Sequence, residues 1–226
     1  MVTDLSLGDS NKYKLIAFDL DGVLVEVKSS WEFIHDYFGV PREERTRNYL
    51  DYVSGKISYD EWIKRDVALW SKVLGRKLMR EDLYEAISKI PVNRDTEYVV
   101  RELKRKGFIV GIISAGVGQV AEMVALKYGF DFWIANPITF TEEGIVSENQ
   151  RARMPPYRKP LTLLWIAKRY GVNVNATIYV GDSDWDIGVI RLAGCGIAYN
   201  CSTSLEREAD KKIDFIRDIV FIVDEC

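Results

Sequence analysis

Four aspartates, one serine and one lysine occupy positions in this 226-residue chain that are typical of catalytic groups: Asp19, Asp21, Ser114, Lys159, Asp182 and Asp186. Three predicted strands deliver five of them at their carboxyl ends, Asp19 with Asp21, then Ser114, then Asp182 with Asp186, and Lys159 lies at the start of a predicted helix. Carboxylates gathered at one place repel one another unless a cation holds them together. Because the set offers hard oxygen ligands and includes neither histidine nor cysteine, it favours Mg²⁺. Such a set indicates phosphoryl transfer.

The members of this set have complementary chemical abilities. Asp19 can attack phosphorus, since aspartate is a known nucleophile that forms aspartyl-phosphate. Asp21 lies on the same side of an extended chain and is placed to act as general acid and base. We expect the phosphoryl oxygens to be held by side chains and by backbone N–H groups at a helix N-terminus: Ser114, Ala115, Gly116 and Lys159.

Purely structural roles are the alternatives for these residues. Asp182 and Asp186 also suit an N-cap and a first-turn acid that stabilise a helix dipole. Ser114 suits an N-cap, which is compatible with phosphate binding, and Lys159 suits a surface position. Their convergence at one predicted edge favours the catalytic interpretation.

The elements that must position these residues alternate between strand and helix. Buried strands are predicted over 13–18, 108–113, 177–180 and 196–199, and a hairpin over 132–147 that turns at 141–144. Helices are predicted over 96–106, 117–128, 161–170 and 184–193. This alternation predicts a Rossmann-like α/β core around a parallel sheet, with ligands bound at the carboxyl ends of the strands.

Residues 28–90 differ from this pattern. Their aromatic and charged residues recur at helical spacing, which predicts three or four amphipathic helices and no strand. We therefore expect a core domain formed by residues 1–27 and 91–226, and a helical cap domain formed by residues 28–90. Most of the aromatic side chains of this insert, Trp31, Trp62 and Trp70 among them, are expected in its core, and some are expected to line a substrate cavity.

The ordered motifs resemble those of the haloacid dehalogenase (HAD) superfamily. Residues 19–24 (DLDGVL) resemble its first signature, Ser114 its second, Lys159 its third, and residues 181–186 (GDSDWD) its fourth. The resemblance extends from residue 13 to about residue 209 and implies the HAD fold. The spacing of Lys159 and Asp182, and the position of the helical insert, are similar to those of phosphoserine phosphatases.

The resemblance implies specific roles. Asp19 would be the nucleophile and a magnesium ligand, and Asp21 the acid/base residue, with its backbone carbonyl also on the metal. Asp182 would be a magnesium ligand, and Asp186 a ligand or a partner of one. A second aspartate in the first signature favours phosphoester hydrolysis, since dehalogenases lack it. A closing helical cap would exclude water and select the substrate.

Three positions depart from the phosphoserine phosphatase pattern. In an ungapped alignment, Lys28 falls where a glutamate would contact the substrate amine, and Asp66 where an arginine would contact its carboxylate. Trp185 replaces an asparagine of the fourth signature. The hypothesis is that the catalytic residues are intact and that the substrate is a small phosphorylated metabolite other than phosphoserine. In a variant of it, Lys28 and Asp66 bind an amino-acid phosphate in the opposite orientation; a solvated surface is the structural alternative for both.

The composition excludes several classes of protein. A net charge of −3 and a pI of about 5.4 argue against nucleic-acid binding. No apolar run reaches the ~18 residues that a membrane-spanning helix needs, and residues 1–11 are too polar for a signal peptide. Three cysteines without a CxxC motif, and the single His35, argue against a disulfide framework and against zinc. We therefore expect a cytoplasmic protein with Cys195 and Cys201 as thiols and His35 in a structural role.

Two functions compete with phosphatase activity. One is a phosphotransferase that passes the phosphoryl group from Asp19 to an alcohol. The other is a catalytically silent relative that binds a phosphorylated ligand or a protein partner. The presence of a nucleophile, its acid, Lys159 and Asp182 together argues against the silent relative.

Overall fold

A parallel sheet forms the centre of the molecule. The computed structural model describes residues 12–147 and 149–226, so the predicted absence of a signal peptide over 1–11 lies outside the described residues. Within the described chain the sheet has six strands in the order β3-β2-β1-β4-β5-β6, all parallel. The strands are β1 (Leu15–Phe18), β2 (Ile109–Val117), β3 (Phe132–Asn136), β4 (Thr177–Gly181), β5 (Cys195–Tyr199) and β6 (Lys211–Ile213). This order is that of a doubly wound Rossmann-like sheet, which confirms the predicted fold class.

The central strand β1 is apolar at every position because helices cover both faces of the sheet. Ile16 and Phe18 join one buried cluster, and Leu15 and Ala17 join the other, as the alternation of side chains along a strand requires. The first cluster packs beneath α5 (Thr96–Arg105), α6 (Gly118–Tyr128) and α10 (Ile219–Ile222), and the second beneath α7 (Lys159–Arg169), α8 (Ile187–Ile190) and α9 (Thr203–Glu208).

Four helices lie between β1 and α5: α1 (Ser30–Phe38), α2 (Arg42–Val53), α3 (Tyr59–Leu74) and α4 (Arg80–Ile87). This agrees with the three or four helices predicted for the insert. The Oγ atoms of Ser29 and Ser58 cap α1 and α3 by accepting hydrogen bonds from Glu32 N and Glu61 N, both at 3.2 Å. The buried side chains of these helices, including the fully buried Trp70, join the first core cluster.

Two helices of the insert meet around His35, which is fully buried. Trp70 Nε1 donates a hydrogen bond to His35 Nδ1 at 3.0 Å, and His35 Nε2 lies 3.4 Å from Asp66 Oδ2. His35 therefore has the structural role that its aromatic surroundings predicted.

The structure corrects three details of the predicted core. The hairpin over 132–147 is reduced to strand β3 and a single antiparallel bridge between Phe140 and Val146. The helix predicted over 184–193 is a 3₁₀ turn over Asp184–Asp186 followed by the short α8. Strand β6 was not predicted, because two of its three residues are lysines and so do not give the apolar pattern of a strand. As an edge strand it buries only one side chain, Ile213.

The prediction that Cys195 is a thiol was wrong, because it is bonded to Cys226 in a disulfide. Cys195 begins β5 and Cys226 ends the chain, and only the folded structure brings these distant residues together. Of the cysteines, Cys201 is free and half-buried. None of the described helices combines the length and hydrophobicity that a bilayer crossing requires.

Candidate active site

The carboxyl ends of β1, β2 and β4 bring the predicted catalytic residues together. Phe18 is in register with Ile112 of β2 and Val180 of β4, so the residues that follow them share one edge of the sheet. Asp19 N donates to Val180 O at 2.8 Å, which fixes the backbone of Asp19 against β4. This edge lies where the strand order reverses, the usual ligand-binding position of such sheets.

A buried lysine joins two of the aspartates. Lys159, the first residue of α7, is 1% exposed, and its Nζ lies 2.8 Å from Asp19 Oδ2 and 2.6 Å from Asp186 Oδ1. Burial lowers the pKa of Lys159, but the carboxylates of Asp186 and Asp19 outweigh it and hold that pKa above its usual range. The lysine therefore stays charged and available for anionic oxygens. Burial raises the pKa of Asp19 to about 7, against the opposing charge of Lys159.

Asp186 is fully buried and accepts five hydrogen bonds. Its Oδ1 accepts from Lys159 Nζ and, at 3.1 Å, from Tyr179 Oη. Its Oδ2 accepts from the backbone N–H groups of Asp182 and Ser183, both at 3.3 Å, and from Ser183 Oγ at 3.2 Å. These donors occupy both oxygens, so the geometry favours a role in positioning Lys159 over direct metal ligation.

Asp21 is anchored by the first residue of α1. One carboxylate oxygen, Oδ2, accepts hydrogen bonds from Ser30 N and Ser30 Oγ, both at 2.9 Å. The other, Oδ1, is buried and has no hydrogen-bond partner in the described chain. Burial raises the pKa of Asp21 to about 6, against the two bonds from Ser30. A carboxyl group with one fixed and one unpartnered oxygen suits proton transfer.

The carboxyl-terminal part of β2, residues 114–117, is held in several directions. Ser114 Oγ accepts from Gly116 N at 3.0 Å, and Val117 N donates to Ser30 Oγ at 2.9 Å. The Ala115 carbonyl accepts from Trp31 Nε1 at 3.1 Å and from Asn136 Nδ2 at 2.8 Å. Helix α6 begins at Gly118, with Val117 as its N-cap, so Ser114 is not the N-cap that the sequence offered as an alternative.

Gly116 and Gly22 allow close approaches that a side chain would block. A Cβ on Gly116 would lie 2.6 Å from Asp21 Oδ2 and 2.8 Å from Ser30 Oγ. Gly22 has a φ of +74°, and a Cβ there would lie 2.1 Å from Asp182 Oδ2. Gly116 therefore lets the backbone approach the carboxylate of Asp21, and Gly22 lets it approach the carboxylate of Asp182.

The donor set fits a hard divalent cation. Carboxylate oxygens of Asp19, Asp182 and Asp186 lie within 4.8 Å of one another, and all three residues are buried. Burial raises the pKa of Asp182, and the adjacent Lys28 opposes that shift. Buried carboxylates this close need more positive charge than Lys159 supplies, and all-oxygen ligation suits Mg²⁺. Because Asp186 is saturated by hydrogen bonds, Asp19 and Asp182 are the carboxylates best placed to hold the cation.

The site opens into a cavity of about 640 Å³ that is lined by both the sheet edge and the inserted helices. The three residues that depart from the phosphoserine phosphatase pattern all line it. Lys28 Nζ lies 2.8 Å from Asp182 Oδ2, and Trp185 is half exposed. Asp66 is buried and accepts from Asn48 Nδ2 at 2.8 Å, so the alternative that placed it on a solvated surface was wrong.

Several residues that support the site had no site role predicted from the sequence: Ser30, Tyr59, Asn136 and Tyr179. Trp31, one of the aromatic residues expected in the core of the insert or along a substrate cavity, lines the cavity. Ser30 carries a signal, since two consecutive serines open the insert, and the second follows a helix cap. Tyr179 also carries one, since it is the only polar side chain within the apolar part of its strand. Asn136 carries none, because its contacts with Ala115 and Met154 depend on tertiary structure.

Comparison with known proteins identifies a hydrolase family and phosphoserine phosphatases among the relatives. The family model described as haloacid dehalogenase-like hydrolase matches residues 13–194. A phosphoserine phosphatase of Methanocaldococcus jannaschii is 28% identical over 199 residues, which cover 88% of this chain and 91% of the relative. A probable phosphoserine phosphatase of Schizosaccharomyces pombe is 27% identical over 207 residues, which cover 91% of this chain and 67% of the relative.

Solved structures of phosphoserine phosphatases are similar over nearly their whole length. One, described as a phospho-aspartyl intermediate analogue, is 28% identical with a TM-score of 0.76 and covers 93% of this chain and 99% of its own. Another, a substrate-bound complex, is 27% identical with a TM-score of 0.75 and covers 92% and 97%.

Proposed function

This chain belongs to the haloacid dehalogenase-like hydrolases, and on that premise we propose that it hydrolyses a small phosphomonoester through a phospho-aspartate on Asp19, with Mg²⁺ as cofactor. It is a phosphatase similar to phosphoserine phosphatases. The observation that carries the proposal is the contact of the buried Lys159 with Asp19 at the end of the central strand, beside Asp182. A nucleophile, a fixed cation and a second carboxylate at one edge are the groups that phosphoryl transfer requires.

In the first step Asp19 acts as the nucleophile. Its Oδ1 accepts from Leu20 N at 2.8 Å and its Oδ2 contacts Lys159, so the carboxylate is oriented before the substrate arrives. A bond forms between a carboxylate oxygen and phosphorus as the bond from phosphorus to the alcohol oxygen breaks. Asp21 Oδ1 gives its proton to the departing alcohol.

In the second step water hydrolyses the phospho-aspartate. Asp21, now ionised, takes a proton from water as the water oxygen attacks phosphorus, and the bond between phosphorus and Asp19 breaks. Lys159 and Ser114, with the backbone of Ala115 and Gly116, hold the phosphoryl oxygens through both steps. Mg²⁺ held by Asp19 and Asp182, with the Asp21 carbonyl as a further ligand of the proposal, would supply positive charge to those oxygens, and Asp186 would position Lys159.

We further propose that the substrate is not phosphoserine. Lys28, at the position where a glutamate would contact an amine, carries the wrong charge for it and contacts Asp182 instead. Asp66, at the position where an arginine would contact a carboxylate, is bound to Asn48 and lies beside His35. Trp185 adds a large half-exposed side chain at the same cavity.

The domain assignment belongs to the same proposal. Residues 28–90 would act as a cap that closes over the cavity on a core formed by 1–27 and 91–226. Closure would exclude water other than the attacking molecule. The predicted cytoplasmic location stays a prediction.

The test is phosphate release from a panel of phosphate monoesters that includes phosphoserine, with Mg²⁺ or with EDTA. We expect Mg²⁺-dependent release, with phosphoserine well below the best substrate. Asp19→Asn, which keeps the shape of the side chain, should reduce the rate by about 10⁴-fold or more because the nucleophile is lost. Release that persists in Asp19→Asn would contradict the phospho-aspartate, and a preference for phosphoserine would contradict the substrate assignment.

A further inference from the structure

Four aromatic side chains from three inserted helices line the same cavity as the catalytic residues. They are Trp31 of α1, Tyr49 of α2, and Tyr59 and Trp62 of α3. We call these four residues the aromatic wall. Since rings prefer to pack against other rings in offset or edge-on geometry, such a wall offers a binding surface for a flat ring.

The rings of the wall are fixed from behind. Trp62 stacks on Tyr52, with ring centroids 4.7 Å apart and planes 19° apart. Trp31 stacks on the buried Trp70, with centroids 6.0 Å apart. Rings held in this way lose little conformational freedom on binding a ligand, so they make a preformed binding surface.

The aromatic wall is continuous with the carboxyl end of the sheet. We call that end, with Lys159 of α7, the catalytic edge, and its residues are Asp19, Asp21, Ser114, Lys159, Asp182 and Asp186. Trp31 Nε1 donates to the carbonyl of Ala115, in the part of β2 that the proposal assigns to phosphate binding, at 3.1 Å. Tyr59 is buried, lines the cavity beside Asp21 and Lys159, and has its ring 5.5 Å from that of Trp62. The alcohol part of a phosphomonoester bound at Asp19 therefore lies within reach of these rings.

Charged groups that line the cavity are paired through most of their atoms, and the exception is Arg45 Nε, which is buried without an acceptor among the described residues. Arg45 contacts Glu32 Oε2 at 3.1 Å and Asp36 Oδ1 at 2.5 Å. Asp66 is held by Asn48, and Asp184 accepts from Ser202 Oγ at 2.7 Å. An amino-acid phosphate that bound through one of these pairs would have to disrupt it, whereas an uncharged ring would not.

The wall also contains one unsatisfied donor. The indole Nε1 of Trp62 is buried and finds no acceptor among the described residues. Buried donors normally have a partner, so the indole of Trp62 is not held by a hydrogen bond within the described chain. Its position depends on ring packing alone.

We propose that the alcohol part of the substrate carries a flat, uncharged ring that packs against the aromatic wall, so that the enzyme selects ring-bearing alkyl phosphomonoesters over amino-acid phosphates. The inference rests on the proposed function and specifies the substrate class of the same site. It does not depend on how well the alcohol leaves, since binding alone provides the selectivity.

The test compares kcat/KM for four alkyl phosphates: 2-phenylethyl phosphate, 2-cyclohexylethyl phosphate, ethyl phosphate and phosphoserine. All four release primary alcohols, so leaving-group differences are small and the comparison reports binding of the alcohol part. We expect 2-phenylethyl phosphate to exceed ethyl phosphate and phosphoserine by about tenfold or more. It should also exceed the saturated ring, because flat rings stack and puckered rings do not.

Trp62→Leu keeps an apolar side chain and removes the ring. It should lower the ratio of 2-phenylethyl to ethyl phosphate turnover by about fivefold or more. Trp165→Leu is the matched control, because Trp165 is half exposed on α7 and lies outside the cavity lining, and it should leave the ratio unchanged. If Trp62→Leu does not fold, Tyr49→Leu replaces a partly exposed ring of the same wall and should lower the ratio in the same direction.

The outcomes separate this inference from the proposed function. Asp19-dependent release that favours ethyl phosphate or phosphoserine, or that treats the two ring substrates alike, would overturn the inference and leave the phosphatase intact. A ratio that Trp62→Leu and Trp165→Leu change equally would also overturn it. The absence of Asp19-dependent release from every substrate would instead refute the proposed function itself.

Discussion

The catalytic edge and the aromatic wall border one cavity but are built by different forces. At the edge, buried polar atoms fix one another: Asp186 accepts five hydrogen bonds, and Asp21 is held twice by Ser30. At the wall, rings are fixed by stacking, and Trp62 Nε1 has no acceptor in the described chain. Hydrogen bonds specify direction, whereas ring packing specifies shape and tolerates different partners.

This difference predicts two kinds of mutational effect. A change at the edge alters the chemical step, so it should lower kcat for every substrate. A change at the wall alters binding of the alcohol part, so it should change the ranking of substrates. The following substitutions test this division, from the largest expected effect to the smallest.

Asp21→Asn should separate the two chemical steps. Asparagine keeps the shape and an acceptor for Ser30 but cannot donate or take the proton, so turnover of alkyl phosphates should fall by about 10³-fold. With p-nitrophenyl phosphate the alcohol leaves without protonation, so the first step should survive and the second should not. We expect a burst of one p-nitrophenol per enzyme followed by slow turnover, measured by stopped-flow absorbance.

A matched measurement on the wild-type enzyme provides the control for the burst, and thermal unfolding verifies the fold of the variant. Equal losses on alkyl and aryl phosphates without a burst would mean that Asp21 does not protonate the leaving alcohol. The hydrogen bonds from Ser30 would then not serve to position a general acid.

The catalytic edge was largely predictable from the sequence, and the wall was not. Asp19, Ser114 and Asp182 follow apolar strands, and parallel strands present their carboxyl ends together, so local patterns were sufficient. The aromatic spacing of residues 28–90 predicted the helices, but it does not distinguish the fully buried Trp70 from the cavity-lining Trp62. That distinction depends on how helices pack against the sheet, as does the pairing of Cys195 with Cys226.

Ser30→Ala should reveal a positioning residue between the two regions. Ser30 is fully buried, and its Oγ donates to Asp21 Oδ2 and accepts from Val117 N. Without Oγ, Asp21 keeps only the backbone bond and its alignment with the leaving oxygen loosens. We expect kcat to fall by about tenfold with little change in KM, because alignment affects the transition state more than binding.

Ser29→Ala is the control for this prediction. Ser29 Oγ caps the same helix at 3.2 Å from Glu32 N and does not contact Asp21. It should lower the free energy of unfolding by about 1 kcal/mol and leave kcat unchanged. If both variants lost only stability, Ser30 would be a structural residue that does not position Asp21 for catalysis.

Lys28→Met should have the smallest effect, and it tests the boundary between the two regions. The Lys28 side chain is 67% exposed, yet its Nζ lies 2.8 Å from Asp182 Oδ2, the carboxylate that the proposal assigns to Mg²⁺. Lysine and metal then compete for one oxygen. Because an exposed ion pair contributes about 1 kcal/mol or less, the Mg²⁺ concentration at the midpoint of an isothermal binding titration should fall by only about two- to fivefold.

Lys168→Met, an exposed lysine on α7 away from the cavity, controls for the loss of one positive charge and should leave the Mg²⁺ midpoint unchanged. A midpoint that rises in Lys28→Met would mean that Lys28 assists metal binding. If the midpoint falls while the substrate ranking stays constant, Lys28 belongs to the catalytic edge. If the ranking of substrates also changes, Lys28 affects both metal binding at the catalytic edge and substrate selection at the wall, so the two regions are not separable at this residue.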